Sequence, residues 1–252
     1  MKKFLSLVFV ALLVLSLVAC GGEAVETNAP ETDAPETNAP ETEAPAAAVM
    51  THADYIAADM DAPVVVETYV QATQSWWSNK ITIYAQSADG AYFVYEAACS
   101  EEDAAKLVPG TKIRVSGVKG AWAGEVEIME STIEIIEDGD TYIAEAADLT
   151  SVLANADELI AHQNELALFK GLTIEAIEYK NGEPGDDIYV TLGLDGASYS
   201  FCIERYLTAP ETDVYKAFTE ETVKVGDKVD VTGFVYWYEG VNTHITAIAL
   251  AE

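Results

Sequence analysis

The sequence predicts an all-β protein, one five-stranded module with short helices present twice in tandem, behind a disordered stalk. Two observations carry this prediction. Residues 55–72, YIAADMDAPVVVETYVQA, match residues 159–176, LIAHQNELALFKGLTIEA, without a gap, and PGTKIRVSG (109–117) matches VGDKVDVTG (225–233) in the same way. Two gap-free matches in the same order, with extra residues of the second copy between them, mark duplicated structural units. Within each unit, short alternating runs separated by Gly, Pro and Asp turns read as strands, and two units of about 100 residues suit a chain of this length.

The elements of the first copy follow in order. Thr51 with Asp54 three residues on gives a capped helix start, and the helix ends before Pro63. Val64 to Thr73 alternates as a strand, and Lys80 to Gln86 is a second. The turn Ala88-Asp89-Gly90 joins it to a third, Ala91 to Ala97. Ser100 followed by three acids caps a short helix to Leu107, Pro109-Gly110 turns the chain, and Lys112 to Val118 and Glu125 to Ile136 supply strands four and five. The second copy repeats the order with strands at 166–178, 187–194, 197–204, 227–236 and 242–250 and a helical stretch near 212–218. Its extra residues fall in connections, 180–187 and 205–223, as a common framework requires.

Strand, strand, strand, helix, strand, strand, with a K-hydrophobe-x-V-x-G fourth strand, resembles the OB-fold, the five-stranded Greek-key barrel. The resemblance implies two tandem OB-like barrels, at 50–137 and 148–252, joined by a linker at 138–147. It also implies that the loops between strands one and two and between strands four and five flank a ligand face.

The N-terminus speaks to location. Lys2 and Lys3 precede an apolar run from Phe4 to Leu15, the layout of a secretory signal over residues 1–19. Leu17-Val18-Ala19-Cys20 resembles the lipobox of bacterial lipoproteins, which implies diacylglycerol on Cys20 and attachment to the outer face of the cell membrane. Each buried acyl methylene contributes roughly 0.8 kcal/mol, so two or more chains hold where one does not. Residues 20–49 contain ETNAP, ETDAP, ETNAP and ETEAP in succession, acidic, proline-punctuated and without large apolar side chains, and are expected to form an extended stalk. Lipobox, stalk and paired modules together resemble bacterial surface lipoproteins with tandem OB-fold-like domains, a resemblance that implies no activity.

Thirteen Lys and Arg stand against 43 Asp and Glu, a formal net charge of -30. Such a field repels phosphate backbones, so nucleic acid is expected to be excluded as a partner. Cys99 and Cys202, both in apolar runs, allow one disulfide or two buried thiols.

Aromatic residues mark the ligand candidates. Trp76 and Trp77 occupy the first loop of copy one and Trp122 its second; copy two places Tyr179 in its first loop and Trp237 and Tyr238 in its second. Trp122 and Tyr238, each two residues before a glycine, share a position, which favours packing there, while Trp76 and Trp77 are open between packing and binding. His244, in VNTHIT, is expected at the surface or rim. No HExxH, GxSxG, CxxC or phosphate-loop motif occurs, so the expectation is a binding module without catalysis, cofactor or metal. The loop acids Asp138, Asp140, Glu183, Asp186 and Asp187 read as solvated turns, with a weak calcium site as the alternative. The expected partner is a protein or peptide, with an oligosaccharide or a cell-envelope enzyme as alternatives.

Overall fold

The computed structural model describes residues 48–251; the signal, Cys20 and most of the stalk lie outside the described residues. In the first half, helix α1 (His52–Ala57) opens with a reciprocal cap: the Thr51 hydroxyl accepts from the Asp54 N–H and the Asp54 carboxylate accepts from the Thr51 N–H. Strands β1 (Pro63–Thr73), β2 (Lys80–Ser87), β3 (Gly90–Ala98), β4 (Lys112–Trp122) and β5 (Glu125–Ile135), with helix α2 (Glu101–Ala104) between β3 and β4, close in the order β1-β2-β3-β5-β4. β3 and β5 run parallel; the other neighbours are antiparallel. Val64, Val66, Val70, Ile83, Ile113, Val115 and Ile128 fill the barrel, since alternate residues of each strand face inward.

The second half repeats this pattern. After β6 (Ala147–Asp148) and the one-turn helix α3 (Ala156–Leu159) come β7 (Leu166–Tyr179), β8 (Ile188–Leu194), β9 (Ala197–Ile203), helix α4 (Asp213–Thr219), β10 (Lys228–Phe234) and β11 (His244–Leu250). β10 pairs with both β11 and β7, and β9 meets β11 in parallel, so the same strand order returns. Positions matched in sequence match in space. Tyr55 and Leu159 are both buried against their barrels, and Ile113 and Val115 correspond to the fully buried Val229 and Val231. Gly117 and Gly233 each sit at a break in register, where a Cβ would run into the carbonyl oxygen of Met129 or of His244. Both halves are therefore OB-like barrels, as the strand order predicts.

Strand four extends beyond Val118 to Trp122, so Lys119 lies within a strand rather than a loop. Its Nζ donates to the carbonyls of Tyr55, Ile56 and Ala58 and caps α1 from inside the protein. The segment between the barrels is tied down by buried Gln71, whose Nε2 donates to the Tyr142 carbonyl and whose Oε1 accepts from the Ala144 N–H.

The barrels dock through a shared aromatic layer. Residues 81–85 of β2 are buried on both faces because the outer face of β2 and β3 meets the second barrel. Tyr84 stacks on Phe234 with centroids 4.6 Å apart, Phe93 meets Tyr236 edge to face at 5.2 Å, and Tyr236 stacks on His244 at 4.1 Å. Backbone and amide bonds cross the same joint: Glu239 N–H to Ala123 O at 2.7 Å, Leu166 N–H to Gln86 Oε1 at 2.8 Å, and Gln163 Nε2 to Gly124 O at 2.9 Å.

Candidate functional site

The β1–β2 connection separates the paired tryptophans. Trp77 and Lys80 exchange both backbone hydrogen bonds, with Ser78 and Asn79 at φ 50° and 61°, the two-residue hairpin turn that positive φ at both centres defines. Trp76 enters it half-buried: its Nε1 donates to the Cys99 carbonyl at 2.9 Å and its ring packs on the barrel core. Trp77 points away from the core and is 76% exposed.

Trp77 borders a groove of about 510 Å³ that Gln74, Ser75, Lys80, Tyr95 and Tyr206 also line. Tyr95 stands on the outer face of β3, 42% exposed, and Tyr206 is 52% exposed. The Tyr206 carbonyl, from the second barrel, accepts the Ser75 N–H at 2.8 Å and its hydroxyl at 3.3 Å. That fixes a ring of one barrel beside the rim of the other. Lys80 and Glu96 form an ion pair at 2.7 Å along the groove, which raises the lysine pKa and lowers that of the carboxyl. The Arg205 guanidinium lies 5.1 Å from the centroid of the Tyr206 ring. Three rings of exposed area thus surround polar edges that both donate and accept hydrogen bonds.

The other sequence candidates take different places. Tyr179 is half-buried and donates its hydroxyl to the Phe218 carbonyl, so it fastens α4 and does not offer a free rim. Trp237 is buried in the second core, and a Cβ on Gly124 would lie 2.6 Å from its ring. It is a joint residue. Trp122 and Tyr238 keep their rings exposed, at 62% and 52%, while the backbone beside them makes the joint; packing was expected of the rings themselves. His244 is not at the surface but buried, hydrogen-bonded through Nδ1 to the Tyr84 hydroxyl and stacked on Tyr236. Burial without a compensating acid pushes its pKa down to about 3, so the ring is neutral and serves packing.

Cys99 and Cys202 are both free buried thiols. Asp140 accepts from Tyr69 and Lys112, each at 2.9 Å, and Asp187 pairs with Lys180 at 2.8 Å, so these acids are engaged by protein cations. Among the described residues no group of His, Cys, Asp and Glu is arranged to hold a metal ion, and no helix is long and apolar enough to cross a membrane.

Tyr95 and Tyr206 did not figure among the sequence candidates. Tyr95 alternates outward in AYFVYEA, and Tyr206 lies in ERYLTAP at the start of the 205–223 insertion, an aromatic residue placed where copy one has no counterpart. For Tyr206 the available signal was an aromatic residue in an insertion.

No family model matches the chain, and no curated protein matches it in sequence. Among solved structures it is similar to a murine DNA-binding protein bound with double-stranded DNA, at 12% identity and TM-score 0.33 over 75% of this chain and 95% of that one. It is also similar to an Ifi202 HINa domain in complex with a 20-bp duplex, at 10% identity and TM-score 0.32 over 69% and 86%. A third likeness is to a replication protein A heterotrimer bound to single-stranded DNA, at 10% identity and TM-score 0.28 over 73% and 50%. These findings correct two expectations from the sequence: recognition of a protein, peptide or glycan, and the exclusion of nucleic acid. The neighbours are OB-fold proteins described with DNA, and net charge is a property of the whole chain that leaves the chemistry of one groove undecided. At these TM-scores the likeness transfers no ligand to this chain, and its own strand order and groove carry the functional reading.

Proposed function

We propose that this protein is a lipid-anchored exported binder, without catalysis, that holds a planar nitrogenous ring of the nucleobase class, free or in a short single strand, in the groove between its barrels. The observation that carries the reading is the convergence of three exposed rings, Trp77, Tyr95 and Tyr206, on one groove with Gln74, Lys80 and Glu96 along its edge. A base offers a π-face to such rings and a hydrogen-bonding edge to the amide, ammonium and carboxylate. Stacking contributes roughly 1–3 kcal/mol per base.

Phosphate contributes little to this binding. Lys80, the cation that lines the groove, is neutralised by Glu96, and Arg205 lies against the Tyr206 ring. One phosphate contact on a single strand gives a slope of log K against log salt no steeper than about -0.7. Fluorescence titration of the chain with oligothymidylate and with nucleosides should show tryptophan quenching that changes little with salt. Trp77→Ala, titrated by calorimetry because it lacks the reporting ring, should bind at least about tenfold more weakly while shifting stability by no more than about 0.5 kcal/mol. An undiminished response in Trp77→Ala, or a salt slope of several units, would reject stacking as the basis of binding. Anchoring is tested apart: Cys20→Ser should release the protein from the membrane fraction, and retention there would remove the lipid anchor from the reading.

A further inference from the structure

We propose that the joint between the two barrels is a proton-dependent clamp, closed while Glu125 is a neutral carboxylic acid and loosened when that group ionises. Glu125 is the first residue of β5, in a strand whose acids alternate outward as EVEIME, yet it has no exposed surface because the second barrel covers it. One carboxyl oxygen, Oε2, accepts the Trp237 N–H across the joint at 2.8 Å. The other, Oε1, is buried without a partner, and so is Oδ1 of Asn164, whose amide adjoins Glu125.

The Asn164 side chain is within hydrogen-bonding reach of the Glu125 carboxyl, and these two unpartnered acceptors lack one donor. A proton on Glu125 Oε1 supplies it: the O–H donates to Asn164 Oδ1 and both atoms are satisfied. Turning the Asn164 amide over does not serve instead. Its Nδ2 now donates to the Val126 carbonyl at 3.3 Å, and the flipped amide would set oxygen against oxygen there.

Burial favours the neutral acid and outweighs the Asn164 side chain and the Trp237 N–H, which both favour the carboxylate. On β5 itself stands Glu127, also buried; Tyr55 of α1 and Tyr236 of the second barrel are near enough for charge on Glu125 to raise their pKa values. Glu96 on β3 faces Glu127 and spends its charge on Lys80. Beside Asn164, His162 and Glu165 pair with each other at 2.8 Å, and His244 on β11 is neutral. Lys119, a buried lysine on β4, donates to the carbonyls of Tyr55, Ile56 and Ala58. Desolvation raises Glu125 to about 8 and Glu127 to about 7.

The sign follows from linkage. A carboxyl whose pKa is raised in the closed state binds a proton there that it loses in the open state, so the Glu125 contribution to closure is complete below about pH 4.5 and weakens as pH rises towards 8. Opening driven by one such group grows about tenfold per pH unit across that window. His244 acts in the opposite sense, since closure holds it neutral, and its contribution is lost as pH falls from 6.5 towards 3. The clamp is therefore tightest at mildly acidic pH.

Amide hydrogen exchange on the full chain in detergent micelles tests this, with rates corrected for the intrinsic effect of pH. Exchange of the Trp237 and Glu239 N–H groups, which cross the joint, should rise steeply between pH 5.5 and 8 while the β1–β4 amides stay protected. Glu125→Gln keeps the shape and supplies an N–H donor, so it should flatten the rise. A flat wild-type profile, or an unchanged rise in Glu125→Gln, overturns the proposal. Should that variant fail to fold, carbon NMR of 13C-glutamate wild type decides. The glutamate in contact with the Trp237 N–H must titrate above pH 6.5, and titration below pH 6 overturns the clamp.

Discussion

The two barrels share strands, register breaks and buried positions, yet they treat the space beside the strand-three to strand-four helix in opposite ways. In the first barrel α2 has four residues and buries none of them, and the rim beside it carries Trp77 and Tyr95 in the open. In the second, α4 buries Val214, Tyr215 and Phe218 against the core, and the Tyr215 hydroxyl bridges the 180–187 insertion by donating to the Asp186 carbonyl and accepting the Gly185 N–H. Lys180, Asp186 and Asp187 close the same loop with ion pairs. One module of a duplicated pair has become a sealed support, and the other has kept an open face. Tyr206, at the start of the second barrel's insertion, joins the two by completing the groove of the first.

The largest effect that separates them is on stability. Phe218 is 3% exposed within the second core, so Phe218→Ala should cost about 3–5 kcal/mol in urea unfolding. Ser100→Ala, which removes the cap of α2 in the first barrel, should cost about 1 kcal/mol. Similar losses from the two helices would mean that α4 is no more built into its barrel than α2, and the contrast between sealed and open modules would fall.

The framework was legible in sequence because it obeys local periodicity. The matches of Ile113 with Val229 and of Gly117 with Gly233 are visible without coordinates, since a buried strand position and a bulge each restrict the residue by themselves. The joint was not legible. Glu125 and Glu127 alternate as solvent-facing acids do, and nothing local says that another barrel covers them. A signal was present on the facing strands, because ITIYA and AYFV carry no charged alternate positions, as strands buried on both faces do not. It went unread because apolar runs also fit an ordinary core. His244 escaped for the same reason: its burial depends on Tyr84 and Tyr236, one of them 160 residues away in the chain.

The smallest effect lies at Trp77, in a tryptophan pair where the comparison between support and open face recurs in adjacent residues. Trp76 packs on the core and donates to the Cys99 carbonyl, so Trp76→Ala should destabilise by about half the 3–5 kcal/mol of a fully buried ring, lowering the urea midpoint clearly. Trp77 contributes no core contact; its place is held by the backbone bonds to Lys80, which any side chain at that position retains. Trp77→Ala should therefore shift stability by no more than about 0.5 kcal/mol while removing the ring that borders the groove. A stability loss for Trp77→Ala as large as that for Trp76→Ala would show the exposed ring to be part of the fold, and the groove would then lose its leading contact.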